Sequence, residues 1–254
     1  MIRKRIIPVL LLKENKLIHR KNFNEETDVY VGDPINAINI FNQYQVDEMA
    51  FIDVTKKKDS INFNLLEKIA GEAFFPMTYG GYIKNIEDAK KIINIGFEKI
   101  IINSVIFENP NLVNELVKFF GSQSIIVSID LYSQNEKYFL YDHKKGQITK
   151  KRFDDYASEI VKLNPGEILI THVNNDGEMN GYDLKFVDFV ANFVNKPVIY
   201  KGGSLNYDGL KKVLTNSNIN AVASSSIFIM KKKDGGIVLN YPNYEEKIKI
   251  YGNL

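Results

Sequence analysis

Two diglycine turns are the first residues whose types and spacing could do chemistry: Gly80 and Gly81 in TYGGYI, and Gly202 and Gly203 in YKGGS. Each follows a short apolar run. Each is followed one strand-helix unit later by small polar residues, Asn103 and Ser104 in the first case, Ser224 and Ser225 in the second. Glycine lets backbone approach a phosphate closely, where a Cβ would stand in the way, and serine or asparagine adds a donor. Two such cradles around one mouth would suit an elongated ligand with a phosphate at each end. A third feature is a contrast: RIIPVLLLKEN, residues 5–15, superposes on SIIVSIDLYSQ, residues 124–134, with Leu11 where the second stretch has Asp130. A carboxylate at a strand end can take a proton from a bound hydroxyl or amine, whereas leucine can neither give nor take one.

The elements that must position these residues are legible as alternation. Eight short runs rich in Ile and Val, from RIIPVLL to NAVASSS, alternate with segments of helical period such as NFNLLEKIAGEA and NIEDAKKIINIG. That pattern predicts a parallel sheet buried on both faces, and eight such units close into a barrel. The open doubly wound sheet is the competing fold. PMTYGGYIKNIEDAKKI resembles PVIYKGGSLNYDGLKKV, and INSVIF resembles ASSSIF, at one offset, so the chain reads as a single α/β barrel domain over residues 1–254 with a two-fold repeat. The half-barrels would fall at about 1–120 and 121–254.

Composition excludes several classes. A chain of 254 residues, 44% hydrophobic and 25% charged, with net charge +2, has no bias toward nucleic acid or membrane. The clusters at Lys56–Lys58 and Lys231–Lys233 read as solvated loops. No cysteine is present, and the three histidines, His19, His143 and His172, are too scattered in sequence to suggest a metal cluster. Neither a cofactor nor a metal is implied. The N-terminal stretch MIRKRIIPVLLLKEN is too short in apolar residues for a signal peptide, so a cytoplasmic location is expected.

Taken together, KRIIP, NF at Asn22, FIDVT, TYGGYI, INS, FGSQSIIVSID, GEILITHVNNDGEMNGYD, KGGS and ASSSIF resemble the cyclase subunit of imidazole glycerol phosphate synthase over about residues 1–228. The resemblance implies a TIM barrel with a two-fold repeat and two phosphate sites. It also implies a glutaminase docked on the barrel bottom, whose ammonia passes through the core to a lyase and cyclase step on a bisphosphate ribosyl substrate. On that likeness Asp130 is the general base, and Leu11 replaces the expected general acid. Asp176, Gly177, Gln123 and Thr171 match the family at mouth positions, where His19, Tyr82 and Lys201 depart from it. Asp53, Thr171 and Asp176 could equally be cap or turn residues, and His172 either a ligand contact or a core histidine.

Arg5, Glu48, Lys99 and Glu167 match the charged ring that the family places at the bottom as an ammonia gate. Strand alternation agrees for three of them, since Arg5, Ile7, Val9 and Leu11 share a face, as do Lys99, Ile101 and Asn103, and Glu167, Leu169 and Thr171. Glu48 and Asp53 break that parity, which would require a bulge. The altered first strand and the tail GGIVLNYPN resemble divergent barrels of this family that occur with a glutaminase and an N-acetyl sugar amidotransferase of bacterial surface polysaccharides. A retained gate and a missing acid thus favour an ammonia-channelling amidotransferase subunit serving another acceptor. The alternatives are a true histidine-pathway cyclase with His19 or Lys201 as substitute proton donor, and a non-catalytic phosphate-binding scaffold. An isomerase would leave the bottom ring without purpose.

Overall fold

The computed structural model describes residues 4–56, 60–193, 195–216 and 218–252; Lys57 and Lys58 of the first lysine cluster, and Met1 to Arg3 of the N-terminal stretch, lie outside the described residues. In chain order the elements begin with β1 (Arg5–Lys13), β2 (Lys16–Lys21), β3 (Asn24–Gly32), α1 (Pro34–Phe41), β4 (Met49–Asp53), α2 (Phe63–Glu72), β5 (Met77–Gly80) and α3 (Ile86–Ile95). They continue with β6 (Lys99–Ile102), α4 (Val105–Glu108), α5 (Pro110–Phe120), β7 (Ile125–Gln134), β8 (Lys137–Asp142), β9 (Gln147–Arg152) and α6 (Phe153–Lys162). The last are β10 (Glu167–His172), α7 (Leu184–Phe193), β11 (Val198–Lys201), α8 (Tyr207–Leu214), β12 (Ile219–Ser224), α9 (Ser226–Ile229) and α10 (Tyr244–Tyr251).

Strands β1, β4, β5, β6, β7, β10, β11 and β12 pair in parallel and close on themselves through β7–β10 and β12–β1. The fold is a (β/α)8 barrel, as the alternation predicts. Each strand reads as a continuous apolar run because both faces are buried. One face forms the inner core, with Ile7, Val9, Ala50, Ile101, Ile126, Leu169 and Ile199. The other packs under the helices, with Ile6, Leu10, Phe51, Ile100, Ile168 and Tyr200.

Two antiparallel hairpins rise from the upper rim, β2–β3 after β1 and β8–β9 after β7. Neither is apparent from the sequence pattern, because β3 and β9 hold no buried residue, and β2, although mostly buried, shows no apolar alternation. The two diglycine turns are built alike. Gly81 and Gly202 have φ of +127° and +116°, and a Cβ at either would stand 2.9 Å from Asp53 or 2.7 Å from the His172 carbonyl. Each turn leads to a helix capped by an asparagine side chain, Asn85 before α3 and Asn206 before α8.

The tail does more than pad the barrel. After a bridge between Met230 and Ile237, Tyr241 donates to the Ile6 carbonyl at 3.0 Å, and its oxygen accepts from the Asp47 backbone at 3.2 Å. Helix α10 starts with a reciprocal cap between Asn243 and Glu246. From it the buried Lys247 reaches Asp47 at 2.5 Å and the Gln45 carbonyl at 2.7 Å, and Tyr251 also donates to Asp47. The C-terminal segment therefore braces the residues beside Arg5 and Glu48.

Candidate functional site

The lower end of the barrel is closed by four charges. Arg5 starts β1, Lys99 starts β6 and Glu167 starts β10, so strand alternation points all three inward. Arg5 pairs with both Glu48 and Glu167, while Lys99 donates to Glu48 at 3.0 Å and to Glu167 at 2.8 Å. Thr78 on β5 donates to the other oxygen of Glu48 at 2.8 Å. Opposite charges thus alternate around the ring, the arrangement that makes burial of four ions tolerable. Burial works against the Arg5 charge, but Glu48 and Glu167 outweigh it and hold its pKa above the ordinary guanidinium value. Burial likewise opposes the Glu167 charge, but Arg5 and Lys99 hold its carboxyl below the usual range.

The expected bulge before β4 is absent, and the parity conflict resolves differently. Glu48, Ala50 and Ile52 all face inward, and β4 pairs with β1 and β5 in unbroken register. Asp53 takes the opposite face, and its Oδ1 accepts from the Thr55 backbone at 3.0 Å, which is the behaviour of a turn residue.

Above the ring lies a small apolar cavity. A cavity of about 10 Å³ is lined by Ile7, Val9, Ala50, Ile101, Leu169 and Ala223, with Glu48 and Thr78 at its foot. That volume is near the lower limit for one small molecule the size of water. Leu11 caps this apolar interior from above, 7% exposed and part of the inner apolar cluster with Ile18 of β2.

At the mouth, Ile126, Ser128 and Asp130 follow one inward face of β7. Asp130 is 5% exposed and accepts from Asn103 Nδ2 at 2.8 Å. His143, from the turn of the β8–β9 hairpin, brings Nδ1 to 3.3 Å from the same carboxylate, and its Nε2 lies 3.0 Å from Ser104 Oγ. Burial alone would lower the His143 pKa, but Asp130 reverses this and holds it above the ordinary imidazole value. The sequence reading passes over His143 because its place depends on a hairpin without an apolar pattern. The usable signal is its position in the connection that follows the strand bearing Asp130.

The other mouth residues fall into three groups. Lys201 is buried and paired with Asp176 at 2.5 Å, and Thr171 lies beside Asp130 in the sheet register. His19, on β2, places Nε2 3.1 Å from Ser226 Oγ, and burial pushes its pKa down. His172 is a correction: it faces the helices, stacks on Phe186 at 4.1 Å between centroids, and sets Nε2 3.0 Å from Ser133 Oγ. Burial holds it near pKa 4, so it is a core histidine and not a ligand contact. Gln123 is another correction, since its turn over Ser122–Ser124 precedes β7 at the lower end.

The cradles differ in how committed their polar groups are. In the first, Gly80 and Gly81 lie at the end of β5, while Asn103 and Ser104 are engaged with Asp130 and His143. In the second, the Gly203 N–H donates to the Asn175 carbonyl at 2.9 Å, and Ser224 pairs with Ser204. The buried Ser225 hydroxyl has no partner. Gly177, with φ of +81°, sits against the Arg20 carbonyl of the β2–β3 hairpin, where a Cβ would be 2.3 Å away.

Fold and site define a parallel (β/α)8 barrel with a charged lower ring, an apolar interior and a polar upper mouth. Residues 5–233 match the histidine biosynthesis protein family, and the chain belongs to that family as a HisF-like member. It is 35% identical over 255 residues to a Leptospira borgpetersenii protein provisionally named imidazole glycerol phosphate synthase subunit HisF, covering 99% of this chain and 100% of that one. It is 36% identical over 250 residues to the Pseudomonas aeruginosa protein provisionally named subunit hisF2, covering 96% and 97%. To the imidazole glycerol phosphate synthase subunit HisF of Petrotoga mobilis it is 37% identical over 208 residues, covering 80% and 82%.

Proposed function

We propose that this chain is the synthase subunit of a glutamine-dependent amidotransferase, taking ammonia from a glutaminase at the barrel bottom and conducting it to the mouth. The observation that carries this reading is the closed ring of Arg5, Glu48, Lys99 and Glu167 below a small apolar cavity. Neutral ammonia can cross such an apolar interior, whereas a charged ammonium ion would lose its hydration there. The relatives are named as subunits of imidazole glycerol phosphate synthase, which supports a partner chain.

At the mouth, Leu11 removes the carboxylate that would complete the pair with Asp130. The acceptor on this reading is accordingly an N-acetyl sugar of bacterial surface polysaccharide, amidated with a third protein, while the cradles hold a phosphate-bearing ligand. The unpartnered Ser225 hydroxyl supports such a ligand at the second cradle. A glutaminase reconstituted with this chain should transfer nitrogen from labelled glutamine with less free ammonia released than by the glutaminase alone. Arg5→Ala and Lys99→Ala should uncouple the two. Failure to bind any glutaminase would leave the scaffold reading in its place.

The second reading is a cyclase of histidine biosynthesis, favoured by the retained Asp130 and by the names of the relatives. It requires product from the histidine-pathway bisphosphate intermediate and ammonium salt. We expect none from the wild-type chain, and clear turnover would replace the first reading with the second.

A further inference from the structure

Ser104, His143 and Asp130 form a hydroxyl–imidazole–carboxylate chain at the mouth. Oγ to Nε2 is 3.0 Å and Nδ1 to Oδ2 is 3.3 Å. A carboxylate only accepts, so Nδ1 carries the hydrogen, and in the neutral ring Nε2 must accept from the Ser104 hydroxyl. These are the roles of nucleophile, base and orienting acid, which are recognised by geometry and not by order in the chain.

The parts are held as a working site requires. Asp130 is buried and fixed by Asn103 Nδ2 at 2.8 Å, so its position does not depend on the histidine. The turn carrying His143 is pinned from both sides. Asp142 Oδ1 accepts from the backbone of Lys144 and Lys145 at 3.0 and 3.1 Å, and Lys144 bridges to Glu108 of α4, the helix that Ser104 precedes. Ser104 and His143 stay partly exposed at the rim. Leu11 supplies no ionisable group on the inner face of β1, and the ion pair recorded for Asp130 is with the imidazole of His143.

We propose that Ser104 is an acyl-accepting nucleophile, activated by His143 and Asp130, and that the mouth handles a small acyl ester or amide. The Ser104 oxygen attacks the acyl carbon and its proton passes to His143 Nε2. The bond to the leaving alcohol or amine breaks, and that group takes the proton from Nε2. Water then attacks the acyl-serine by the same route, with His143 as base, and returns the free hydroxyl and a carboxylic acid. The charged groups around His143 are Asp130 from β7, Asp142 and Lys144 from its own hairpin, and Glu108 on α4 through Lys144. The carboxylates raise its pKa over the opposing effects of burial and Lys144. Acylation, which needs the neutral ring, should therefore appear only above the ordinary imidazole range.

The test uses the full chain and p-nitrophenyl acetate, without glutaminase or ammonia, so its outcome is independent of the amidotransferase reading. A burst of p-nitrophenolate with an acetyl adduct mapped to Ser104 is expected. Ser104→Ala and His143→Gln should each lower the burst rate by about 10²-fold or more. Both residues lie at the partly exposed rim, so these variants should keep the wild-type Tm. Asp130→Asn should also shift the pH midpoint of acylation downward, which loss of a merely structural contact at the rim would not do. An unchanged rate in folded Ser104→Ala, or acetyl groups only on lysines, would overturn the proposal.

Discussion

Lys99 on β6 donates to Glu167 on β10 at 2.8 Å, although β7 runs between their strands, so the contact crosses the barrel floor. Arg5 makes the opposite crossing to the same carboxylate. Glu167 therefore has two cations, and Lys99 and Arg5 share Glu48 as their second anion. Removing one member leaves the others uncompensated, which for buried pairs costs about 3–5 kcal/mol. Lys99→Ala should lower unfolding stability by about 3 kcal/mol, measured by urea denaturation. A double-mutant cycle with Glu167→Gln should show a coupling on the order of 1 kcal/mol or more. Additive single effects would mean that the ring is only a solvated rim.

The same carboxylate sets an acid limb. The folded Glu167 pKa is below its ordinary value, so between the two values the unfolded chain binds the proton more readily. Its contribution is complete above the unfolded pKa of about 4.3 and is lost as pH falls through the folded value. Glu167→Gln should be less stable than wild type at neutral pH, with the Tm gap closing as pH is lowered below 4. A gap that stays constant would place the stabilisation elsewhere.

The charged ring is legible through the family resemblance, and two rules support it there: strand alternation turns three of its residues inward, and four inward charges must pair. Parity agrees with the resemblance for Arg5, Lys99 and Glu167. Glu48 looked inconsistent only because Asp53 was assumed to share its face, and the unbroken β4 register shows which of the two turns outward. The upper rim was less legible. Each hairpin ends in a strand with no buried residue, β3 or β9, whose pairing rests on backbone hydrogen bonds, and these leave little mark on the apolar pattern. His143 was hidden with them, since nothing local ties residue 143 to residue 130 until β7 and β8 are folded together. His172 shows the converse. Its place after the inward Thr171 puts it on the outer face by alternation, which favours the core histidine over the ligand contact, the two readings that the sequence leaves open.

His172 itself makes a testable contribution. Burial holds its folded pKa near 4, while the unfolded chain titrates at about 6.5. The unfolded state therefore binds more protons between these values, and stability is full above about pH 6.5 and declines as pH falls toward 4. The loss is on the order of 3 kcal/mol. His172→Phe keeps the stack on Phe186 and removes the buried Nδ1 that has no partner. Thermal unfolding should show the variant close to wild type at neutral pH and more stable at pH 5. Equal pH slopes for the two proteins would show that another group titrates.

Leu11 is the remaining position where stability and chemistry pull apart. It closes the top of the apolar interior with Ile7, Val9 and Ile18, and its main-chain partners are Ile18 and Ile52. A carboxylate placed there loses that packing and enters a largely dry environment, so Leu11→Asp should destabilise the fold by about 2–4 kcal/mol at neutral pH. Protonation relieves part of this cost, so the deficit should shrink as pH falls toward 5; here the variant is relieved, whereas for Glu167→Gln the gap closes because the wild type is weakened. Asp130 already faces the same interior, so the substitution restores a carboxyl group on each of the two strands. If the mouth otherwise retains the cyclase arrangement, Leu11→Asp with the histidine-pathway bisphosphate and ammonium salt gains turnover where wild type has none. Leu11→Asn, which introduces polarity without an ionisable group, should share the loss of stability without the gain. Turnover in Leu11→Asn would mean that relief of a steric block, and not a restored acid, is what the first strand withholds.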